Sequence, residues 1–320
     1  MKEIKYKSML KRYEGNPLFT PEEFPFGAAD QVFNPGQVRT PDGRTILLLS
    51  VIMRNERHAR CHVAESYDGI HFEIQETPLF SVDPEKRFGE LDFHPIDCRV
   101  TWFPEDGCYY IMRPANSEWG CCALLYRTVD FRTAEPLEII ALPHNRVPCL
   151  FPEKIGGKYV RLDRPYSVGA PYEKSFANIW ISYSPDLIHW GEHRPLLQRD
   201  FMPWNGLKVG PTVPIRTEEG WLELIHGVQN TFVGWRYSLG AVLLDLEHPD
   251  RIIGRMNRYL LTPETPFERQ GVIPEVVFAT GAIADIETRE FRVYYGGADT
   301  TVNLATGNLD EIIEGCRKGI

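Results

Sequence analysis

The chain has 320 residues, 43% of them hydrophobic and 12% aromatic, with a formal net charge of −9. That length can bury a substantial core in about one to three domains, and an acidic balance without a long Lys/Arg block argues against nucleic-acid binding. No long apolar run occurs and the N-terminus, MKEIKYKSMLKRYEGNPLF, lacks the apolar stretch of a signal peptide, so no membrane partner and a cytoplasmic location are expected.

Gly and Pro are plentiful, at 26 and 25 residues, which favours many short strands over long helices. Five times along the chain a turn is followed by a β-rich run. Asp42-Gly43 precedes RTILLLSVIM, Glu105-Asp106-Gly107 precedes CYYIM, and Gly156-Gly157 precedes KYVRL. Glu218-Glu219-Gly220 then precedes WLELIHGV, and Glu287-Thr288-Arg289 precedes EFRVYYGG. Each turn has chemistry that reverses a strand, and a repeat of roughly 50–70 residues is a propeller-blade spacing. A second repeated element, in AESYDGIHFE, RTVDFRTAE and SYSPDLIHWGE, places an Asp ahead of an aromatic. Asp68, Asp130 and Asp186 are expected to shape outer turns, and Phe72, Phe131 and Trp190 to pack between blades. The expected fold is all-β: one five-bladed β-propeller over residues 1–320, with a short N-terminal extension at about 1–15. The tail LDEIIEGCRKGI from Leu309 has helical spacing and predicts a short C-terminal helix, at the periphery or in an oligomer contact.

The seven cysteines, Cys61, Cys98, Cys108, Cys121, Cys122, Cys149 and Cys316, form no CxxC pair and are expected as reduced, buried thiols. No metal or organic cofactor is expected.

Chemistry-bearing residues fall near strand ends. Asp97, in HPIDCRVTWF, is the candidate acid; its neighbour Arg99 makes an ordinary ion pair the commoner reading of such a spacing. Arg146 in HNRVPCLFPEK and Arg164 in YVRLDRP flank the third hairpin, and Lys208 in NGLKVGP and His226 in LIHGV surround the fourth. Asn34 in VFNPGQ, Arg54 in IMRNE and Asp299 in YGGADTTV are polar groups suited to sugar hydroxyls, although Asn and Asp at strand ends are also common turn formers. A hydrolase acting on a glycoside needs a second carboxylate beside its acid. A phosphorolytic enzyme needs a cationic cradle for its anionic nucleophile instead.

The stretches GNPLF, VFNPG, PIDCRVT, NRVPCLFPEKIGGKYVRLDRP, SPDLIHWG, LKVG, GWLELIHGV and YYGGADTTVNLAT together resemble glycoside hydrolase family 130, the β-mannoside phosphorylases and related mannosidases, from about Asn16 to Thr306. The resemblance implies a five-bladed propeller and an inverting phosphorylase that takes a β-mannoside and inorganic phosphate to α-mannose 1-phosphate. Its acid falls on Asp97 and relays its proton through the mannosyl O3 hydroxyl. Its phosphate ligands fall on Arg146, Arg164, Lys208 and His226, and its sugar ligands on Asn34, Arg54 and Asp299. Its expected partners are therefore a small mannoside, of β-1,4-mannooligosaccharide or mannosyl-glucose type, and phosphate as co-substrate; a homo-oligomer is also in keeping. The alternatives are a β-mannosidase, with Glu56, Glu65 or Asp92 as second carboxylate, and a non-catalytic mannoside-binding propeller. Two departures from the family pattern stand out. Cys98 replaces a Pro, and VGPTVP replaces a Gly-rich stretch, so Thr212 and Val213 are expected to alter the channel.

Overall fold

A computed structural model describes residues 8–167, 176–199, 202–232 and 234–320; residues 1–7 of the expected N-terminal extension lie outside them. The strands form five antiparallel sheets arranged as the blades of a propeller. From the inside outwards, blade 1 is Ala29–Arg39, Thr45–Met53, Ala59–Ser66 and Glu73–Ile74, and blade 2 is Arg99–Phe103, Cys108–Ser117, Gly120–Thr128 and Glu135–Ala141. Blade 3 runs Asn145–Leu150, Tyr159–Ser167, Ile179–Ser184 and Gly191–Leu197, and blade 4 runs Lys208–Pro211, Trp221–Thr231, Gly234–Leu244 and Ile252–Arg255. Blade 5 comprises Val277–Phe278, Glu290–Gly297 and Thr301–Asn308, with the N-terminal pair Lys11–Arg12 as its outermost strand.

The apolar runs of the sequence are the second strands of these blades. A strand between two neighbouring blades is buried on both faces, so it reads as a continuous hydrophobic run rather than an alternation. In TILLLSVIM, Ile46 and Leu48 pack with Val100 and Ile111 of blade 2, while Leu47, Leu49 and Val51 pack with Tyr294, Val302 and Leu304 of blade 5. In WLELIHGV, Leu222 and Leu224 face Phe291 and Val293 of blade 5, and Trp221 and Ile225 face Val160 and Leu162 of blade 3.

The repeated Asp residues do what their spacing implies. The Oδ1 atoms of Asp68, Asp130 and Asp186 each accept two backbone N–H bonds, from Ile70 and His71, from Arg132 and Thr133, and from Ile188 and His189. Phe131 is buried, Phe72 meets Phe19 and Tyr294, and the Trp190 ring lies under the Arg161 guanidinium.

The ring is closed by the segment expected to extend from it. Lys11 and Arg12 pair with Thr306 and Ala305. Arg12 reaches on to Glu268 of the short helix α1 (Pro266–Arg269) at 2.7 Å, where Glu268 is fully buried and also accepts from the Tyr295 hydroxyl. The C-terminal helix α2 (Leu309–Lys318) is capped by Asn308, whose side chain accepts from the Glu311 N–H, and ends on Gly319 at φ 65°. Its Leu309, Ile312, Ile313 and Cys316 bury against Leu10, Leu243 and Met256, which fixes the helix to the propeller. All seven cysteines are free thiols and buried.

Candidate active site

The leading ends of the inner strands converge on a cavity of about 320 Å³, and every blade contributes to its wall. Asn34 comes from blade 1, Asp97 from the entry to blade 2, Arg146 and Arg164 from blade 3, Lys208, His226, Trp235 and Tyr237 from blade 4, and Phe278 and Asp299 from blade 5. Six of these, Asn34, Asp97, Arg146, Arg164, Lys208 and Asp299, are separated by as much as most of the chain, so the closed ring is what brings them together. The volume suits a small polar ligand such as a sugar with one anion.

The backbone is strained where the site is built. Asn34, Asp97, Val147 and Asp299 have φ of 43°, 55°, 55° and 49°, a left-handed region that non-glycine residues adopt at a cost and that clusters at functional sites. Asn34 sits in a register shift between Phe33 and Gly36, and Val147 in another between Arg146 and Cys149. Such bulges re-aim the side chains on either side of them.

Asp97 is held from three directions. Its N–H donates to Ser50 Oγ at 3.1 Å, its carbonyl accepts from Arg99 Nη1 at 2.6 Å, and its Oδ1 accepts from Asn34 Nδ2 at 2.9 Å. The adjacent Arg99 thus bonds the backbone of Asp97 and leaves the carboxylate to the cavity, in place of the simple ion pair that the sequence spacing suggests. Asn34 fits only because residue 296 is glycine: a Cβ there would lie 2.1 Å from Asn34 Oδ1. Asp299 is half-buried; desolvation and the Asp97 charge push its carboxyl up to about 7.

The same cavity holds a cluster of cations. Arg164 is buried, and its Nη1 lies 2.8 Å from His226 Nε2. His226 is fully buried between the rings of Phe278 and Tyr237, and burial with Arg164, Lys208 and Arg99 nearby pushes its imidazole well below the usual range. It is therefore neutral at pH 7, able to donate through one ring nitrogen and accept through the other. The Lys208 ammonium rests 4.7 Å above the rings of both Trp235 and Tyr237. Burial, reinforced by Arg164 and Arg146, lowers it to about 7. Burial likewise brings Arg164 down to about 10. Arg146 is steadied by Asn116 Oδ1. No carboxylate forms an ion pair with Arg146, Arg164 or Lys208 among the described residues. In a protein of net charge −9, that is a local excess of positive charge prepared for an anion.

Comparison with known proteins shows the family. A family model described as beta-1,4-mannooligosaccharide phosphorylase matches residues 3–318. The chain belongs to glycoside hydrolase family 130. It is 33% identical over 313 residues to the beta-1,4-mannooligosaccharide phosphorylase of Ruminococcus albus, covering 96% of this chain and 91% of that protein. It is 38% identical over 255 residues to the beta-1,2-mannobiose phosphorylase of Listeria innocua, covering 78% and 67%. The solved structure of a Listeria innocua beta-1,2-mannobiose phosphorylase in complex with beta-1,2-mannobiose matches with a TM-score of 0.84 at 30% identity, over 97% of this chain and 99% of that one.

Within this family 130 chain, seven of the eight residues singled out in the sequence line the cavity; Arg54 does not. It follows the second strand of blade 1, its side chain is 60% exposed, and its Nε bonds Asp30 Oδ1 at 3.0 Å. Of the two departures, the VGPTVP stretch lies elsewhere than expected. Thr212 is fully buried, its hydroxyl on the Leu224 carbonyl and its N–H on Glu223, and Val213 packs with the core between blades 3 and 4, so neither lines the cavity. Cys98 turns into the core between blades 1 and 2, its Sγ 3.8 Å from that of Cys61.

The wall residues Trp235 and Tyr237 were not apparent from the sequence. Their alternation on WRYS, on the strand that follows Lys208's pairing partner, was the available sign. A larger groove of about 860 Å³ lies between blades 2 and 3, lined by Trp180 and Trp190. Its buried charges, Arg161 and Asp163, neutralise each other at 2.8 Å, so it lacks the uncompensated cations of the inner cavity.

Proposed function

We propose that this enzyme cleaves β-1,4-mannosidic bonds of mannooligosaccharides with inorganic phosphate, inverting the anomeric centre to give α-mannose 1-phosphate and a shortened acceptor. The observation that carries this reading is the convergence of Arg146, Arg164, Lys208 and His226 in the cavity that also holds Asp97. Phosphate is anionic at neutral pH and needs orientation more than activation. The cationic wall supplies that orientation by charge-assisted hydrogen bonds, and His226 adds a neutral partner.

In this scheme a phosphate oxygen forms the new bond to C1 as the bond from C1 to the leaving oxygen breaks. The proton for that oxygen comes from Asp97, through the mannosyl O3 hydroxyl, with Asn34 holding the carboxyl in place. Asn34 and Asp299 grip the sugar, and the charge of the phosphate is met by side chains, with no cofactor taking part. The hydrolytic alternative has less support. Glu56 is paired with Arg60, Glu65 with Arg44 and Asp92 with Arg113, and none of the three lines the cavity.

The β-1,4 linkage rests on the family description and on the Ruminococcus relative, which aligns over nearly all of both chains. A β-1,2 linkage is the second reading, favoured by the higher identity to the Listeria relative. The test is synthesis in reverse, with mannose 1-phosphate, a panel of acceptors and assignment of the product by NMR. A β-1,4 product and released phosphate are expected. A β-1,2 product overturns the linkage, and intact mannose 1-phosphate with every acceptor overturns the reaction.

A further inference from the structure

Arg99 opens the inner strand of blade 2 and is 1% exposed. Its Nη1 donates to the Asp97 carbonyl, while Nε and Nη2 are buried with no nitrogen or oxygen partner among the described residues; the guanidinium also lies beside the buried Cys149 thiol. Its guanidinium faces the Phe278 ring, 5.7 Å from the centroid, and Phe278 in turn packs on His226 at 4.8 Å. The charge therefore lies one aromatic layer beneath the cationic wall, close enough to help depress both His226 and Arg164. Arg99 has no ion-pair partner among the described residues, and a buried charge so placed is costly to a fold. Two features of the site would give that cost a use. The left-handed backbone at Asp97 has to be held, and a phosphate bound above Phe278 would provide the missing negative charge.

We infer that Arg99 is a positioning residue for phosphorolysis, acting through Asp97 and through the anion site without touching either substrate. The bond to the carbonyl fixes the direction of the Asp97 carboxyl. The buried charge strengthens phosphate binding from below. This inference rests on the reaction proposed above.

The test compares full-length wild type, Arg99→Lys and Arg99→Met by steady-state kinetics in each substrate, with thermal unfolding as a control. Arg99→Met loses both roles. A fall in kcat of about 30-fold or more is expected, with phosphate KM raised about tenfold and mannoside KM held within about twofold. Arg99→Lys keeps the charge but not the planar fork, so phosphate KM returns to within about twofold of wild type while kcat stays about tenfold low. That split, and its partial rescue, would not follow from a merely structural role. If Arg99→Met does not fold, the Lys variant decides alone: reduced kcat at normal phosphate KM supports the inference, and unchanged kcat overturns it. Wild type that makes no mannose 1-phosphate refutes the reaction itself. Active wild type with both variants unaltered refutes the role of Arg99 only.

Discussion

Replacing Gly210 by Ala tests the phosphate wall without removing any group from it. Gly210 pairs with His226 across two strands of blade 4, and its backbone conformation is open to any residue. An added Cβ would lie 2.4 Å from both Cε1 and Nε2 of His226 and 2.8 Å from Arg164 Nη1. Ordinary contact starts near 3.4 Å, so the imidazole has to move by about 1 Å. Its neighbours Phe278 and Tyr237 leave it no free exit, and the 2.8 Å contact with Arg164 is broken. A hydrogen bond to a charged group is worth about 1.5–3 kcal/mol, which corresponds to a rise of roughly 10- to 150-fold in phosphate KM. Overpacking should also cost about 1–3 kcal/mol of stability, short of unfolding. The assay is release of mannose 1-phosphate against phosphate concentration at saturating mannobiose, with mannobiose KM as internal control. A phosphate KM within twofold of wild type, in a variant whose melting temperature has fallen, would refute the placement of phosphate beside His226.

Two further outcomes follow from the charges. The Lys208 ammonium, lowered to about 7, binds an anion only when protonated, so kcat/KM for phosphate dianion should fall as pH rises through about 7. Lys208→Arg should remove that limb up to about pH 9, and an identical profile would take Lys208 out of the anion site. Arg12→Ala leaves Glu268 buried without its cation and should cost about 3–5 kcal/mol at pH 7 by urea denaturation. The Arg12 bond holds the Glu268 carboxyl below the usual carboxylate range, so this stabilisation is present above about pH 4.3 and lost as pH falls through the lowered value. A deficit that persists undiminished well below pH 4 would argue against it.

The propeller was legible because its signs are local. Each of the five hairpins carries its own turn residues, and Asp68, Asp130 and Asp186 accept the backbone bonds that their positions suggest. What local pattern could not show was ring closure: Lys11 and Arg12 have no strand periodicity, yet they complete blade 5 through partners about 300 residues away. The site was legible through family resemblance and not through spacing, because Asp97 and Asp299 share a cavity only after the ring has closed. Trp235 and Tyr237 were missed because aromatics on a strand read as core. Thr212 was placed too near the chemistry because sequence position along a blade does not reveal which end of a strand, or which face, meets the channel. The bond from Arg99 to the Asp97 carbonyl was hidden for a related reason. It depends on the left-handed turn at Asp97, and nothing in the residue types announces that turn.

In the proposed reaction phosphate, held by Arg146, Arg164, Lys208 and His226, is the nucleophile and Asp97 the acid. That reaction is tested most directly by incubating the enzyme with β-1,4-mannobiose in phosphate-free buffer and again with phosphate, following mannose and mannose 1-phosphate separately. Equal amounts of mannose and mannose 1-phosphate are expected with phosphate present, negligible cleavage without it, and neither product from Asp97→Asn. Release of free mannose alone, at the same rate in both buffers, would contradict it.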